Sequence, residues 1–172
     1  MNTELRNKVL ATAIAEIGVS EFPPNSNIVK YNDWFYGVGK YDSKAAWCGT
    51  FGSWVFDKSE ANLGTIDYRK GYAGCQYAVA KVAKWGKIVS QPQPGDIVFF
   101  DWDGNGTFDH TGIFEKHIGD GLFSAIEGNT GIPKSGDPKE VHKANSNGGI
   151  VMRRTDRKYK QAIFIRPNVY KD

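Results

Sequence analysis

The cysteine at position 48 is the residue of this sequence best suited to chemistry. It lies in Ala46-Trp47-Cys48-Gly49, at the start of a helix predicted over 47–58. Unpaired N–H groups and the helix dipole at such a start stabilise a thiolate, which is the nucleophilic form of cysteine. The backbone N–H of Cys48 would also face an oxyanion that forms during acyl transfer. The alternative interpretation is a buried structural cysteine that begins a helix.

A nucleophilic thiol needs a base, and the sequence offers three histidines: His110, His117 and His142. His142 lies in a polar stretch rich in Gly and Asn, where a solvated side chain is expected. His110 and His117 both fall in a strand predicted over 110–117. Because side chains alternate between the two faces of a strand, only one of these two histidines can face the helix of Cys48.

The turn that follows this strand favours His110 as the base. The sequence Ile118-Gly119-Asp120-Gly121 is typical of a hairpin with a two-residue loop, Gly119-Asp120. That loop sets His110 opposite Asn129 and leaves Glu127 on the same face. A base, a carboxylate and an amide would then lie together, and the carboxylate or the amide would orient the imidazole. A three-residue loop would instead place Glu127 on the other face.

Helices are predicted in the first half of the chain. Apolar residues at three- and four-residue spacing predict helices over 4–18, 47–58 and 72–85. Residues 19–44 contain Pro, Gly and Asn among many aromatic residues, and they are predicted to be irregular. Cys75 falls on the apolar stripe of the third helix, where a buried inert thiol is expected. Two cysteines in a chain of this size do not make a disulfide framework.

Short runs rich in β-branched and aromatic residues follow Trp85. They predict strands over 96–101, 110–117, 121–127, 149–154 and 160–166. Helices followed by strands with short turns are typical of an α+β fold. The predicted architecture is therefore a set of N-terminal helices packed on a small antiparallel β-sheet, within a single domain over residues 1–172.

Four motifs in this order resemble the CHAP family, the cysteine, histidine-dependent amidohydrolases/peptidases of the papain-like superfamily near NlpC/P60. They are Trp47-Cys48 at the start of an aromatic helix, PGDIVFF at 94–100, DHTGI at 109–113, and Glu127-Gly128-Asn129. The resemblance implies a papain-like fold with one CHAP-like catalytic domain, in which Cys48 is the nucleophile and His110 the general base and acid. It also implies that Glu127 orients His110 and that Asn129 assists in the polar network.

The resemblance further implies a substrate and a reaction. CHAP domains cleave amide bonds of bacterial peptidoglycan through a thioester, either as N-acetylmuramoyl-L-alanine amidases or as stem or bridge endopeptidases, and no cofactor is required. Many are phage lysins released by an accessory pore, the holin, or act as part of a phage assembly. Residues 1–10 lack the apolar run of a signal peptide. Synthesis in the cytoplasm and action at the wall are therefore expected, with no wall-binding domain after the motifs.

Three other functions fit parts of the sequence. A hydrolase of this type could be a toxin amidase that acts on a different substrate. A module of the same fold could bind the cell wall without cleaving it. A metal-dependent hydrolase could be built on the polar segment 101–109.

The segment 101–109 repeats oxygen ligands at every second position and has Gly at the sixth, like the front of a calcium loop. The ligands would be Asp101, Asp103, Asn105 and Asp109. Any calcium bound there would be structural, because a thiol nucleophile needs no metal. The twelfth position is Gly112 instead of the Glu that an EF-hand requires. A tight polar loop without metal is the favoured alternative, because Asp-Gly and Asn-Gly are turn formers.

Aromatic residues make up 13% of the chain, and such side chains either fill a core or line a groove that binds a polymer. Four of them are candidates for a substrate groove: Trp34, Tyr36, Trp47 and Trp102. A core position is the alternative for each of the four.

The net charge of +3 comes with no concentrated block of Lys and Arg, which would indicate nucleic-acid binding. The densest cluster is Arg153, Arg154, Arg157, Lys158 and Lys160, and it is interpreted as a solvated turn. No run approaches the roughly 18 apolar residues of a membrane span. We therefore expect a monomer whose partner is bacterial peptidoglycan, with neither nucleic-acid binding nor membrane insertion.

Overall fold

Helices occupy the first half of the chain and strands occupy the second. The structure is a computed structural model that describes residues 2–40, 44–67, 70–131 and 149–171. The helices in these ranges are α1 (Thr3–Ala15), α2 (Lys30–Tyr36), α3 (Cys48–Lys58), α4 (Cys75–Ala80) and α5 (Val82–Trp85). The strands are β1 (Gly86–Val89), β2 (Ile97–Phe100), β3 (His110–Gly119), β4 (Leu122–Thr130), β5 (Ile150–Lys158) and β6 (Ala162–Pro167).

The six strands form one antiparallel sheet in the order β1-β6-β2-β3-β4-β5. Short 3-10 turns flank β6, at Tyr159–Gln161 and Asn168–Tyr170. This arrangement confirms the predicted α+β class, with N-terminal helices and an antiparallel sheet. No helix in the described ranges has both the length and the apolar character needed to cross a bilayer.

The sheet buries side chains on both of its faces. Along β2, Ile97 and Phe99 join the large core cluster, which also contains the α3 residues Phe51 and Val55. The alternate β2 residues belong to a second, mainly aromatic cluster: Val98, Phe100, Phe114, Phe123, Ala125 and Phe164. Because successive side chains of a strand point to opposite faces, this second cluster lies on the face away from α3. The sheet therefore has buried side chains on both faces rather than one buried face and one solvated face.

Two helix predictions change in the structure. The segment predicted as irregular over 19–44 contains α2, a helix of seven residues that buries Tyr31, Asn32 and Phe35. Seven residues span only two turns, so the apolar spacing was too short to register as a periodic pattern. The helix predicted over 72–85 is divided at Lys81 into α4 and α5.

The strand predictions locate five of the six strands in the described ranges and miss β1. Four residues of β1 follow α5 directly and pair with β6. The other strands have shifted ends, and β5 extends to Lys158 where the sequence predicted an end at residue 154. β1 was missed because it has only four residues and only its first residue is buried, so its sequence shows little alternation between apolar and polar residues.

The basic cluster near the C-terminus is not a solvated turn. Arg154 and Arg157 lie within β5 and are only 1% and 8% exposed. Arg154 donates hydrogen bonds to Thr130 and Asp156. Burial of a guanidinium is tolerated when its donors find such partners. The interpretation of this segment as a solvated turn was therefore wrong.

Candidate active site

Cys48 is the first residue of α3, as predicted, and its side chain is 6% exposed. The following residue, Gly49, is required by packing, because a Cβ there would lie 2.2 Å from the Ala73 carbonyl oxygen. The backbone N–H of Gly49 donates a hydrogen bond to the Cys48 sulfur. The start of α3 therefore holds the thiol next to a backbone donor and against the segment that precedes α4.

The β3–β4 hairpin brings His110 and Glu127 to one face, although its turn differs from the prediction by one residue. Gly119 pairs with Leu122, so the two-residue loop is Asp120-Gly121. Both loop residues have positive φ, which is the geometry of a primed turn. Two irregularities in the β3–β4 register then restore the pairing of Ile113 with Ile126, which is the predicted register at the site.

His110 begins β3 and is 3% exposed. Its Nε2 lies 2.8 Å from Glu127 Oε2, and the imidazole is also hydrogen-bonded to the Cys48 thiol. Because Nε2 is already paired with the carboxylate, Nδ1 is the nitrogen that faces Cys48. The ring stacks on Phe100 and Trp102, with centroids 5.6 and 6.0 Å apart. The imidazole is thus fixed by a partner at each nitrogen and by aromatic rings against its plane.

Glu127 is fully buried, and a guanidinium neutralises it. Arg157 donates from Nε to Glu127 Oε1 at 2.7 Å and from Nη2 to Oε2. The same guanidinium lies over the rings of Phe100 and Trp102, 5.2 and 4.8 Å from their centroids. A two-pronged contact of this kind fixes the position of the carboxylate.

Arg157 is a site residue that the sequence prediction missed. The predicted strand ended at residue 154, so residue 157 was assigned to a turn. One signal could have found it, because a carboxylate buried beside a histidine needs a further donor to offset its desolvation. An arginine on the strand that pairs with β4 supplies that donor, and Phe123 pairs directly with Arg157.

The electrostatics favour a charged Cys48–His110 pair. The hydrogen bond from Cys75 is the largest effect on the pKa of Cys48 and lowers it, and the bonds from His110 and Gly49 lower it further. Burial alone would raise this pKa, but the hydrogen bonds outweigh it, so the thiol pKa lies well below its usual range. Burial alone would lower the pKa of His110, but the bonds to Cys48 and Glu127 raise it to about 9. Burial would also raise the pKa of Glu127, but Arg157 and His110 lower it to about 2. At neutral pH the site therefore holds a thiolate, an imidazolium and a carboxylate.

These pKa values predict how any reaction at this site depends on pH. The pKa of His110 is raised from its ordinary 6.5 to about 9, so the imidazolium persists through neutral pH and is lost as the pH rises through about 9. The rate of a reaction that uses this imidazolium as its acid should be level near neutrality and fall on the alkaline side with a midpoint near 9. A pH–rate profile measures this, and a fall already centred near 6.5 would contradict it.

Asn129 is buried, with 2% exposed, and its backbone is left-handed at φ 53°. Its side-chain oxygen has no hydrogen-bond partner among the described residues. A Cβ placed on Gly149 would lie 2.6 Å from this oxygen, so the two residues are in close contact. Within the described ranges no hydrogen bond joins Asn129 to His110, and its assistance to the network stays a prediction.

The four groove candidates have different surroundings. Trp47 is fully buried, stacks on Tyr31 at 5.4 Å and donates from Nε1 to Glu21, so it is a core residue and its assignment to a groove was wrong. Trp102 is half-buried, and its ring contacts both the His110 ring and the Arg157 guanidinium.

Trp34 and Tyr36 are half-buried residues of α2. Trp34 lines a cavity of about 330 Å³ together with Phe35, Thr65 and Lys70. A role for Trp34, Tyr36 and Trp102 in binding substrate stays a prediction.

The other two histidines take no part in this arrangement. His117 lies at the far end of β3, exposed, where its Nδ1 contacts the Tyr159 hydroxyl and its ring stacks on the Tyr159 ring at 5.7 Å. The prediction that His110 rather than His117 faces Cys48 is therefore confirmed. The expectation for His142 falls outside the described residues.

The polar loop 101–109 is closed by its own hydrogen bonds. The Asp101 carboxylate accepts from the backbone N–H groups of Gly104, Asn105 and Gly106, at 2.8, 3.1 and 2.9 Å. Asp103 accepts from Asn105 in the same way. In the described part of the chain no three His, Cys, Asp or Glu side chains form a group able to hold a metal ion. Calcium binding by Asp101, Asp103, Asn105 and Asp109 stays a prediction.

A buried thiolate paired with an imidazolium, with a carboxylate behind the imidazole, is the arrangement that cysteine-dependent acyl-transfer enzymes use. The family model of the CHAP domain matches residues 40–129, which is 90 of the 172 residues. The chain therefore belongs to the CHAP domain family. Comparisons with curated proteins and with solved structures gave no match.

Membership in this family carries a coarse assignment of function. CHAP is a cysteine- and histidine-dependent amidohydrolase/peptidase domain of the papain-like/NlpC-P60 type. The family indicates a hydrolase of the amidase or peptidase type that acts on the cell wall, with peptidoglycan as its substrate. The matched segment contains Cys48, His110, Glu127 and Asn129, and it ends before Arg157.

Proposed function

We propose that this protein hydrolyses an amide bond of bacterial peptidoglycan through a thioester on Cys48. The bond is either the N-acetylmuramoyl-L-alanine amide or a peptide bond of the stem or bridge. The observation that carries the proposal is the continuous chain of contacts from Cys48 through His110 and Glu127 to Arg157. Arg157 keeps Glu127 ionised, and the Glu127 carboxylate stabilises the His110 imidazolium. The imidazolium in turn stabilises the Cys48 thiolate at neutral pH.

In the acylation step the Cys48 thiolate attacks the carbonyl carbon of the amide. The first N–H groups of a helix have no partner within the helix, so the Cys48 N–H at the start of α3 is suited to stabilise the oxyanion. His110 then gives the proton on Nδ1 to the nitrogen of the leaving amine, and the carbon–nitrogen bond breaks. The wall fragment with the new amine leaves, and the acyl group remains on the sulfur as a thioester.

In the deacylation step the neutral His110 removes a proton from water, and the resulting hydroxide attacks the thioester carbon. The carbon–sulfur bond breaks, which releases a carboxylic acid and restores the thiolate beside the imidazolium. Glu127 keeps the imidazole in one orientation through both steps, because its bond to Nε2 leaves Nδ1 directed at the reaction. Arg157 keeps that carboxylate ionised and in place.

Mass spectrometry of the fragments released from purified peptidoglycan tests this proposal. Hydrolysis of an amide must leave one new amine and one new carboxyl group for each bond cut. A new amine on L-alanine identifies an amidase, and a new peptide terminus within the stem or bridge identifies an endopeptidase. Release of new reducing sugar ends without new amines would contradict the proposal, because that pattern requires cleavage of the glycan.

A further inference from the structure

The second cysteine lies beside the first. The Sγ atoms of Cys48 and Cys75 are 3.8 Å apart, within hydrogen-bonding range for sulfur, and both thiols are free. Both side chains are buried, with 6% and 7% exposed. Cys75 is thus buried, as expected. The expected inert role does not fit a sulfur that contacts the candidate nucleophile.

The chain around Cys75 is held against α3 by polar contacts as well as by packing. The Ser53 hydroxyl donates to the Tyr72 carbonyl at 2.6 Å and accepts from the Tyr72 N–H at 2.7 Å. The Asp67 carboxylate accepts from the N–H groups of Ala73 and Gly74, both at 3.0 Å. These contacts fix the three residues before Cys75, so the position of its thiol is set by the fold rather than by chance.

The two thiols differ in which form they favour. Cys48 also receives hydrogen bonds from His110 and Gly49, which favour its thiolate. The pKa of Cys75 lies well above its usual range, because the bond to Cys48, burial and the negative charges of Cys48 and Asp109 favour the protonated form. Cys75 therefore keeps its S–H at neutral pH.

Three other titratable groups interact with the sulfur pair. His110 on β3 faces Cys48 as an imidazolium, and Asp109 in the loop before β3 faces Cys75. Burial raises the pKa of Tyr72 well above its usual value, so its hydroxyl stays protonated and bonds to Thr111 at 3.0 Å. The Cys48 sulfur is thus the acceptor within range of the Cys75 S–H.

We propose that Cys75 is a positioning residue for the nucleophile, whose S–H donates a hydrogen bond to the Cys48 thiolate and holds that sulfur toward His110. The proposal rests on the proposed function in one respect, which is that Cys48 is the reacting sulfur. The thiolate then has three donors: Gly49 N–H, the His110 imidazolium and the Cys75 thiol. A fixed set of donors stabilises the charge before substrate arrives and keeps the sulfur in one place.

The expected effect of losing this donor is a shift in the ionisation of Cys48. Hydrogen bonds to charged groups stabilise them more than bonds to neutral groups, but a thiol is a weak donor. We therefore expect the pKa of Cys48 to rise by about one unit in Cys75→Ala. Cys75→Ser keeps an O–H donor of similar size, so its Cys48 pKa should stay near that of the unmodified protein.

The experiment measures alkylation of Cys48 by iodoacetamide against pH in the full chain, with a phosphine reductant present so that both sulfurs stay reduced. Only the thiolate reacts, so the midpoint of the rate profile reports the ionisation of Cys48, and peptide mass spectrometry shows which cysteine is modified. The expected result is an upward shift for Cys75→Ala and little shift for Cys75→Ser. An unchanged midpoint in Cys75→Ala would overturn the proposal.

Two further variants separate positioning from plain destabilisation. Ala78 is fully buried on α4, one turn after Cys75. Its methyl group cannot donate a hydrogen bond to the thiolate, so Ala78→Gly should lower the melting temperature without moving the alkylation midpoint. Cys75→Val fills the volume without a donor and gives the same test if Cys75→Ala does not fold. An equal shift in Ala78→Gly would also overturn the proposal.

Alkylation needs no wall substrate, so this test can fail independently of the proposed function. If the protein releases no wall fragments but the alkylation midpoint shifts in Cys75→Ala, the role of Cys75 is supported and the peptidoglycan assignment is contradicted. If the protein cleaves peptidoglycan but Cys75→Ala has the same alkylation midpoint as the unmodified protein, the proposed function is supported and the role of Cys75 is contradicted.

Discussion

Replacement of Cys48 by alanine should abolish the release of fragments from purified peptidoglycan, with a loss of about 10⁴-fold or more in rate. The alanine has no atom that can attack a carbonyl, and every later step of the proposed reaction passes through the sulfur. The size of the loss follows from the chemistry, since removal of a nucleophile leaves only the contributions of binding and of oxyanion stabilisation. Turbidity of a wall suspension and quantification of new amines measure the effect.

Cys48→Ser is the matched control for this replacement. It keeps the size and the position at the start of α3, but a serine hydroxyl is not ionised beside an imidazolium, so activity should stay very low. Circular dichroism must show that both variants keep the fold.

Three outcomes would redirect the assignment. Binding to the wall with no clearing of the suspension, in the unmodified protein as in Cys48→Ala, would indicate that the protein binds the wall without cleaving it. Loss of activity on chelation, with no effect of an alkylating agent, would indicate a metal-dependent reaction based on the loop 101–109. Cleavage of other amides but not of peptidoglycan, still dependent on Cys48, would indicate a toxin amidase.

The sequence predicted the positions of Cys48 and His110 because local patterns determine them. A stripe at helical spacing, formed by Phe51, Trp54, Val55 and Lys58, marks α3 and places Cys48 at its start. The face of His110 depended on register, and the turn itself was misplaced by one residue. Two irregularities between Phe114 and Gly119 compensated for that error, and no local pattern in the sequence announces such irregularities.

The places of Arg157 and Cys75 in the site could not be predicted, because they depend on contacts between residues distant along the chain. Arg157 is 30 residues from Glu127, and the two meet only because β5 pairs with β4. Cys75 is 27 residues from Cys48, and the two sulfurs meet only because Gly49 lets the backbone of Ala73 approach α3. Spacing along a helix or strand carries no information about either approach.

Replacement of Arg157 by methionine should destabilise the protein by about 3–5 kcal/mol, because it leaves the fully buried Glu127 carboxylate without its guanidinium. Methionine keeps most of the apolar contact with Phe100 and Trp102, so the lost charge is the main change. Hydrolysis should also fall, since Glu127 would no longer be held against His110. Urea unfolding and the rate of fragment release measure the two effects.

Arg153 provides a matched control on the same strand. It pairs with Glu115, but its side chain is 42% exposed, and exposed ion pairs contribute about 0–1 kcal/mol. Arg153→Met should therefore change stability by less than about 1 kcal/mol and leave the hydrolysis rate unaltered. Equal losses in Arg153→Met and Arg157→Met would contradict the role assigned to the buried pair.

A double replacement shows whether the loss in Arg157→Met comes from the stranded charge. Glu127→Gln removes the carboxylate charge while keeping the shape, and by itself it leaves the buried guanidinium unpaired. In the double variant Glu127→Gln/Arg157→Met neither charge remains, so its destabilisation should be clearly smaller than the sum of the two single losses. Strict additivity would mean that the two side chains do not stabilise each other. Hydrolysis should stay low in the double variant even where stability recovers, because the imidazole of His110 still lacks its carboxylate.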